Sequence, residues 1–227
     1  MVEIPLTTEE NEEKKDGRMA LAGDLLYAAV KGIGGLALKA FTNLEIEGKE
    51  NIPYIGKALL VTISKNSIRD MLIISQVTGR KVHFMVDPKL MKHAVAGPLL
   101  KTLGMFRSTT SKDDMEPIDN VFKILNKIGD LVAMTPEAKF EREIQVKSIA
   151  SIIKFAALGK APLIPLAVYG TETKLFGAIK AKGLKVKVGK PINCDMKLTR
   201  DKNRDKRYEL AEDIVNIIDT LRTDPDF

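Results

Sequence analysis

With 227 residues, 44% of them hydrophobic, the chain can bury a substantial core in one α/β domain, whereas two independent domains would be cramped. A single cysteine, Cys194, excludes an intramolecular disulfide, and with only His83 and His93 available no Cys/His zinc site can be assembled. The net charge of +6 understates how basic the folded part is, because residues 1–17 carry six acids against Lys14 and Lys15, a local balance of −4 that leaves +10 for the remainder. Such a body suits phosphate, an anionic membrane surface or an anionic small molecule. Nucleic acid is not the expected partner, since there is no tryptophan and no helix or loop interleaves aromatics with arginines. Cysteine usage and an acidic rather than basic-then-apolar start predict a cytoplasmic location, with neither metal nor cofactor.

In chain order, residues 1–17 read as a solvated acidic tail. Residues 18–43 form an N-terminal helical segment: Leu25, Leu26, Ala29, Val30, Ile33, Leu36, Ala37, Ala40 and Phe41 recur at three- and four-residue steps, with Gly32-Ile33-Gly34-Gly35 as a place where the helix can divide. Two placements fit this pattern equally, a helix packed on the domain and a helix lying in the membrane interface. The α/β domain is expected over 44–227. Leu44 to Glu47 reads as a short strand, Gly48 to Gly56 as a turn, and 58–63 as a buried strand. A helix opens at Ser67 and runs to about Val77, with Ser67 and Asp70 spaced as a capping box.

Lys81 to Val86 reads as a strand, and Lys89 to Leu103 as helical turns interrupted at Gly97-Pro98. An extended piece follows at Met105-Phe106, then an amphipathic helix from Glu116 to Ile128. Leu131–Thr135 is a buried strand, Ile144–Leu158 a helix, Leu163–Tyr169 and Leu184–Val188 strands, and Tyr208–Leu221 a closing helix. Strands alternating with helices of this length predict a mostly parallel central sheet flanked by helices. Lys180, Lys182, Lys185, Lys187 and Lys190 read as a solvated basic face, and His83 as a packed residue of a buried strand. His93 falls in the loop before Gly97, from which it reaches a cleft only if that loop folds over it.

Six pieces in one order resemble the glycerolipid acyltransferase family, which includes the 1-acylglycerol-3-phosphate acyltransferases. Gly48-Lys49-Glu50-Asn51-Ile52-Pro53 is similar to a Gly-x-Glu-Asn-Ile-Pro block. Ser64-Lys65-Asn66-Ser67-Ile68-Arg69-Asp70 is similar to the loop in which a histidine stands five residues before an aspartate, and Lys65 holds the histidine's place. Gly104-Met105-Phe106 resembles part of the second block. Leu131 to Glu137 resembles the strand entering a Pro-Glu-Gly-Thr-Arg signature, which here continues as Ala138-Lys139-Phe140. Pro162 to Gly170 and Val186 to Ile192 resemble the closing strands.

The resemblance implies an acyltransferase-like α/β fold, with an acyl group passed from acyl-CoA or acyl carrier protein to a lysophospholipid or glycerol-phosphate-type acceptor at the inner membrane face. Lys65 and Asp70 take the positions of the family's catalytic dyad. Ser67, Arg107, Thr110, Pro136, Glu137, Ala138, Lys139 and Arg142 take substrate-binding positions or stand beside them. Arg107 is a displaced substitute for the basic residue at the Thr110 position, and Lys139 and Arg142 restore charge lost with the signature arginine. Imidazole titrates near neutrality, whereas an unperturbed lysine keeps its proton to about pH 10, so the exchange at Lys65 alters the chemistry of the dyad. The resemblance thus leaves open a transferase with altered activity, an inactive lipid- or acyl-chain-binding protein, and a partner of another protein.

Overall fold

The computed structural model describes residues 21–36, 43–64, 67–94, 96–111, 113–175 and 178–223. The acidic tail over 1–17 and Lys65 lie outside the described residues. A seven-stranded sheet forms the centre, from β1 (Glu45–Glu47), β2 (Ala58–Val61), β3 (Val82–Val86), β4 (Phe106–Arg107), β5 (Leu131–Met134), β6 (Leu163–Leu175) and β7 (Ala178–Val188). Their spatial order is β1-β7-β6-β2-β5-β3-β4. Only β6 and β7 run antiparallel, and every other neighbouring pair is parallel.

The central strands are unbroken apolar runs because both faces are covered: every residue of β2 and of β5 is buried. One face packs against α5 (Glu116–Phe122), α6 (Arg142–Gly159) and α7 (Arg204–Thr223), around Leu59, Val61, Val132, Ile149, Ile153 and Ile218. The other packs against α2 (Ser67–Ile74), around Leu60, Phe84, Ala133, Ile73 and Ile74. The apolar stripe of α7 faces inward at Ala211, Ile214, Val215, Ile218 and Leu221, as its spacing predicts.

The structure moves several expected boundaries. The helix over residues 21–36, α1, is continuous through Gly32-Ile33-Gly34-Gly35. Its inner side is tied down by polar contacts: the Val82 amide donates to the Tyr27 hydroxyl at 3.0 Å, Lys31 Nζ donates to the Arg80 carbonyl at 3.1 Å, and Lys81 pairs with Asp24 at 2.7 Å. Its outer side leaves Leu21, Leu25, Ile33 and Leu36 more than half exposed.

The break expected at Gly97-Pro98 falls earlier, between α3 (Pro88–Lys92) and α4 (Ala96–Thr102). Pro98 fits within the first turn of α4, where its missing N–H has no helical partner to lose. The helix after Glu116 changes to a π-helical turn over Lys123–Ile128. β6 and β7 are both longer than their apolar runs, because an antiparallel hairpin satisfies its own backbone through residues 171–175 and 178–182. Lys187 departs from the expected solvated face, since it is buried and pairs with Glu47 of β1 at 3.5 Å, whereas Lys185 stays solvent-accessible in its 2.6 Å pair with Glu45.

Gly48 begins the turn after β1 with φ of 72°, and a Cβ there would press into the Val188 carbonyl oxygen. Gly48→Ala is therefore expected to cost ~2 kcal/mol or more, through the left-handed backbone and the displaced β7 end together, measured as a lowered urea midpoint.

Candidate active site

Parallel pairing delivers the ends of β2, β5, β3 and β4 to one edge of the sheet. The loops that follow them carry the candidate residues, and backbone contacts join two of those loops. Ser64 pairs with Glu137 in an isolated parallel bridge, with the Ser64 amide donating to the Pro136 carbonyl at 2.8 Å and the Ala138 amide donating to the Ser64 carbonyl at 2.7 Å. Two segments 73 positions apart in sequence are thereby fixed side by side.

Asp70 stands on the first turn of α2 and is 1% exposed. The Ser64 hydroxyl donates to its Oδ2 at 2.6 Å, and Arg69 donates to its Oδ1 through Nε at 2.8 Å and through its other nitrogen at 2.8 Å. Both carboxylate oxygens are therefore engaged by partners that the capping-box spacing alone does not supply. Nearby, Arg222 at the end of α7 donates from Nη2 to the Ile63 carbonyl. Burial lowers its pKa, opposed by the charges of Asp219 and Asp70, which puts a half-desolvated guanidinium within electrostatic reach of the aspartate. Arg69 and Arg222 were missed as site residues. Arg69 is readable only once Asp70 is known to be buried, and Arg222 comes from 152 positions further along the chain.

A cleft of about 640 Å³ opens at this edge. Pro136 and Glu137 line it, with Met71 of α2, Asp87 and Lys89 after β3, Ser108 and Thr109 after β4, and Ser151, Ile152 and Phe155 of α6. A second cavity of about 230 Å³, almost wholly apolar, lies between α1, α2 and α4 and is lined by Tyr27, Val30, Ile68, Leu72, Phe84 and Leu100. Met71 and Leu90 line both, so the two spaces are neighbours across these side chains.

The remaining candidates are distributed as follows. Arg107, at the end of β4, is clasped by Asp114 through both terminal nitrogens and by Glu116 at 2.7 Å. This clasp raises the arginine pKa and holds Asp114 well below the usual carboxylate range. Thr110 is turned to the same carboxylate, its amide and hydroxyl each donating to Asp114 at 2.9 Å. Lys139 pairs with Glu137 at 2.5 Å, which raises its pKa. Arg142 lies at the start of α6 against α7, bonded to Glu212 at 2.6 Å, Asp219 at 3.0 Å and Asn216. It is not among the residues lining the cleft. Ser67 begins α2, and Ala138 serves the site through its backbone amide.

His83 is buried, with Nδ1 at 2.8 Å from the Gly104 carbonyl and Nε2 at 3.5 Å from Asp130, as its strand position predicts. His93 ends α3 and accepts from the Ala96 amide at 3.2 Å. Among the described residues no group of histidine, cysteine and carboxylate side chains could hold a metal.

The sequence profile of the acyltransferase family matches residues 43–169, more than half of the chain. Among solved structures, the 1-acyl-sn-glycerophosphate (LPA) acyltransferase PlsC from Thermotoga maritima has a similar fold. Its TM-score is 0.59 at 16% sequence identity, over 85% of this chain and 79% of that one. No curated protein matches the chain. The matched region contains the Ser64 and Pro136-Glu137 loops, the cleft they border and five of the seven strands entire, and on that match the chain belongs to the acyltransferase family.

Proposed function

We propose that the protein transfers an acyl group from a thioester donor, acyl-CoA or acyl carrier protein, to the hydroxyl of a lipid acceptor of the lysophospholipid or glycerol-phosphate type at a membrane surface. The observation that carries this reading is the bridge between Ser64 and Glu137, which joins the end of β2 to a residue lining a cleft that adjoins an apolar cavity. A long acyl chain needs such an apolar compartment beside the reacting carbonyl, and concave sites with few polar groups are how proteins hold one. The acceptor hydroxyl attacks the thioester carbonyl, its proton passes to a base, and the thiol leaves. Lys65 in its neutral form is the base in this reading. For a lysine in that role a carboxylate partner favours the ammonium, and exclusion of water favours the amine.

Attachment to the inner membrane face is part of the same proposal. The outer side of α1 presents Leu21, Leu25, Ile33 and Leu36, and the adjoining α2 adds exposed Ile68 and Leu72. No helix among the described residues is long and apolar enough to cross a membrane, so this surface would lie on the bilayer.

Acyl transfer from a labelled thioester to lipid acceptors on anionic liposomes tests the proposal. Leu100→Trp fills the apolar cavity and is expected to lower turnover of a sixteen-carbon donor about tenfold while sparing an eight-carbon donor. Equal loss for both chain lengths would show that this cavity does not hold the chain. A second reading is favoured by the engagement of both Asp70 oxygens: an inactive lipid- or acyl-chain-binding protein, in which the aspartate is structural. It predicts co-purified lipid in native mass spectra with no turnover.

A further inference from the structure

Among the described residues the methionines are not spread evenly through the core. The layer between the sheet and α6 and α7 is built mainly from side chains with few rotamers, such as Leu59, Val61, Ile149, Ile153, Val215 and Ile218. Methionine collects instead where the protein faces open space. Met71 of α2, Met85 of β3 and Met134 of β5 line the cleft, and Met71 and Met105 line the apolar cavity. Met85 and Met134 stand opposite each other in the β3–β5 register, and Met71, 5% exposed, belongs to the partition between the two spaces. The other described methionines are Met91, partly buried against the layer around α2, and Met115 and Met196, both exposed.

A methionine side chain is unbranched, turns about three bonds and carries a polarizable sulfur, so it fills irregular gaps and restores contact when its neighbour changes shape. A wall of leucine and isoleucine adjusts less. Against it, a ligand of altered shape either leaves gaps that forfeit dispersion contacts or presses side chains off their rotamers. Fatty-acyl chains of equal carbon number differ mainly in shape: a saturated chain straightens, a cis double bond fixes a bend, and a methyl branch widens the end. Discrimination among them is a difference in fit, which a deformable wall levels.

We propose that the site admits fatty-acyl chains irrespective of unsaturation or branching, and that Met71, Met85, Met105 and Met134 are the residues that set this breadth. The inference rests on the reading of the cleft and the cavity as a lipid site, in its transferase and its binding form alike, and adds which chains that site takes. Chain length is a separate limit, set by the cavity that Leu100 lines.

The test displaces a fluorescent fatty-acyl probe from the full chain with three sixteen-carbon fatty acids, one saturated, one with a cis double bond at its middle and one ending in a methyl branch. Their affinities are expected to agree within about threefold. A spread of about tenfold or more would overturn the breadth while leaving the lipid reading in place. A probe that does not bind, or that none of the acids displaces, would overturn the lipid reading and the inference with it. Met71→Leu combined with Met85→Leu and Met134→Leu keeps the volume of the wall and removes its freedom, and is expected to open the spread to about tenfold. Met115→Leu combined with Met196→Leu, at positions that line neither space, is expected to leave the spread unchanged. A lining variant with wild-type circular dichroism and the natural spread, or an exposed pair that widens it equally, would overturn the role given to the methionines. Should the triple variant not fold, Met85→Leu alone carries the same comparison, with a widening of about threefold expected and its absence counting against that role.

Discussion

Asp70→Ala is expected to destabilise the fold by ~3 kcal/mol, a loss large enough to lower the urea midpoint by a molar unit or more. The carboxylate is 1% exposed and accepts from Ser64 on one oxygen and Arg69 on the other. Its removal takes a close ion-pair partner from a guanidinium that is only one-fifth exposed and leaves the buried Ser64 hydroxyl without its acceptor. Breaking a buried pair is costlier than the pair is stabilising, because the desolvation of the remaining charge is less fully offset.

Ser64→Ala should cost less, ~1 kcal/mol, since Arg69 still satisfies the other oxygen. The double substitution should fall short of the sum by a measurable coupling, as groups in direct contact do. Urea denaturation of the three variants reads all three values. An Asp70→Ala protein within ~0.5 kcal/mol of wild type would mean that the pair contributes nothing, and the aspartate would then be free for a purely chemical role.

The sequence made the architecture legible where local pattern and burial agree. Ala58–Val61 and Leu131–Met134 are unbroken apolar runs, and only strands covered on both faces are stable in that form. The stripe of α7 and the length of α6 were equally plain from their spacing. The pattern fell short where satisfaction of the backbone is nonlocal. The outer halves of β6 and β7 carry lysine, threonine and glutamate, yet pair with each other as a hairpin. A break expected at Gly97-Pro98 moved upstream because proline is tolerated in a first helical turn.

The site was legible in its loops and not in its charges. The structure sets Ser64 and Pro136-Glu137 side by side, as parallel strands deliver their following loops to one edge. Charge counting could not foresee that Arg107 would turn to Asp114 and Glu116, or Arg142 to α7, because the competing carboxylates are set by tertiary packing. Arg222 is the converse case: no local signal marks it, and it reaches the Ile63 carbonyl only through the docking of the last helix.

The dependence of acyl transfer on pH, measured side by side for the natural protein, Lys65→Ala and Lys65→His, bears most directly on a lysine base in this family fold. A lysine that must lose its proton gives a rate that climbs with pH through the lysine range, toward about 10 unless burial lowers it. A histidine in its place should bring the rising limb down to near pH 6.5, and alanine should lower turnover by about a hundredfold on the alkaline plateau, with a difference that shrinks as pH falls. The account predicts an alkaline limb in the natural protein, its shift by three units or so in Lys65→His, and its disappearance in Lys65→Ala. Turnover in Lys65→Ala equal to that of the natural protein, or a natural protein silent at every pH beside an active Lys65→His, would contradict it.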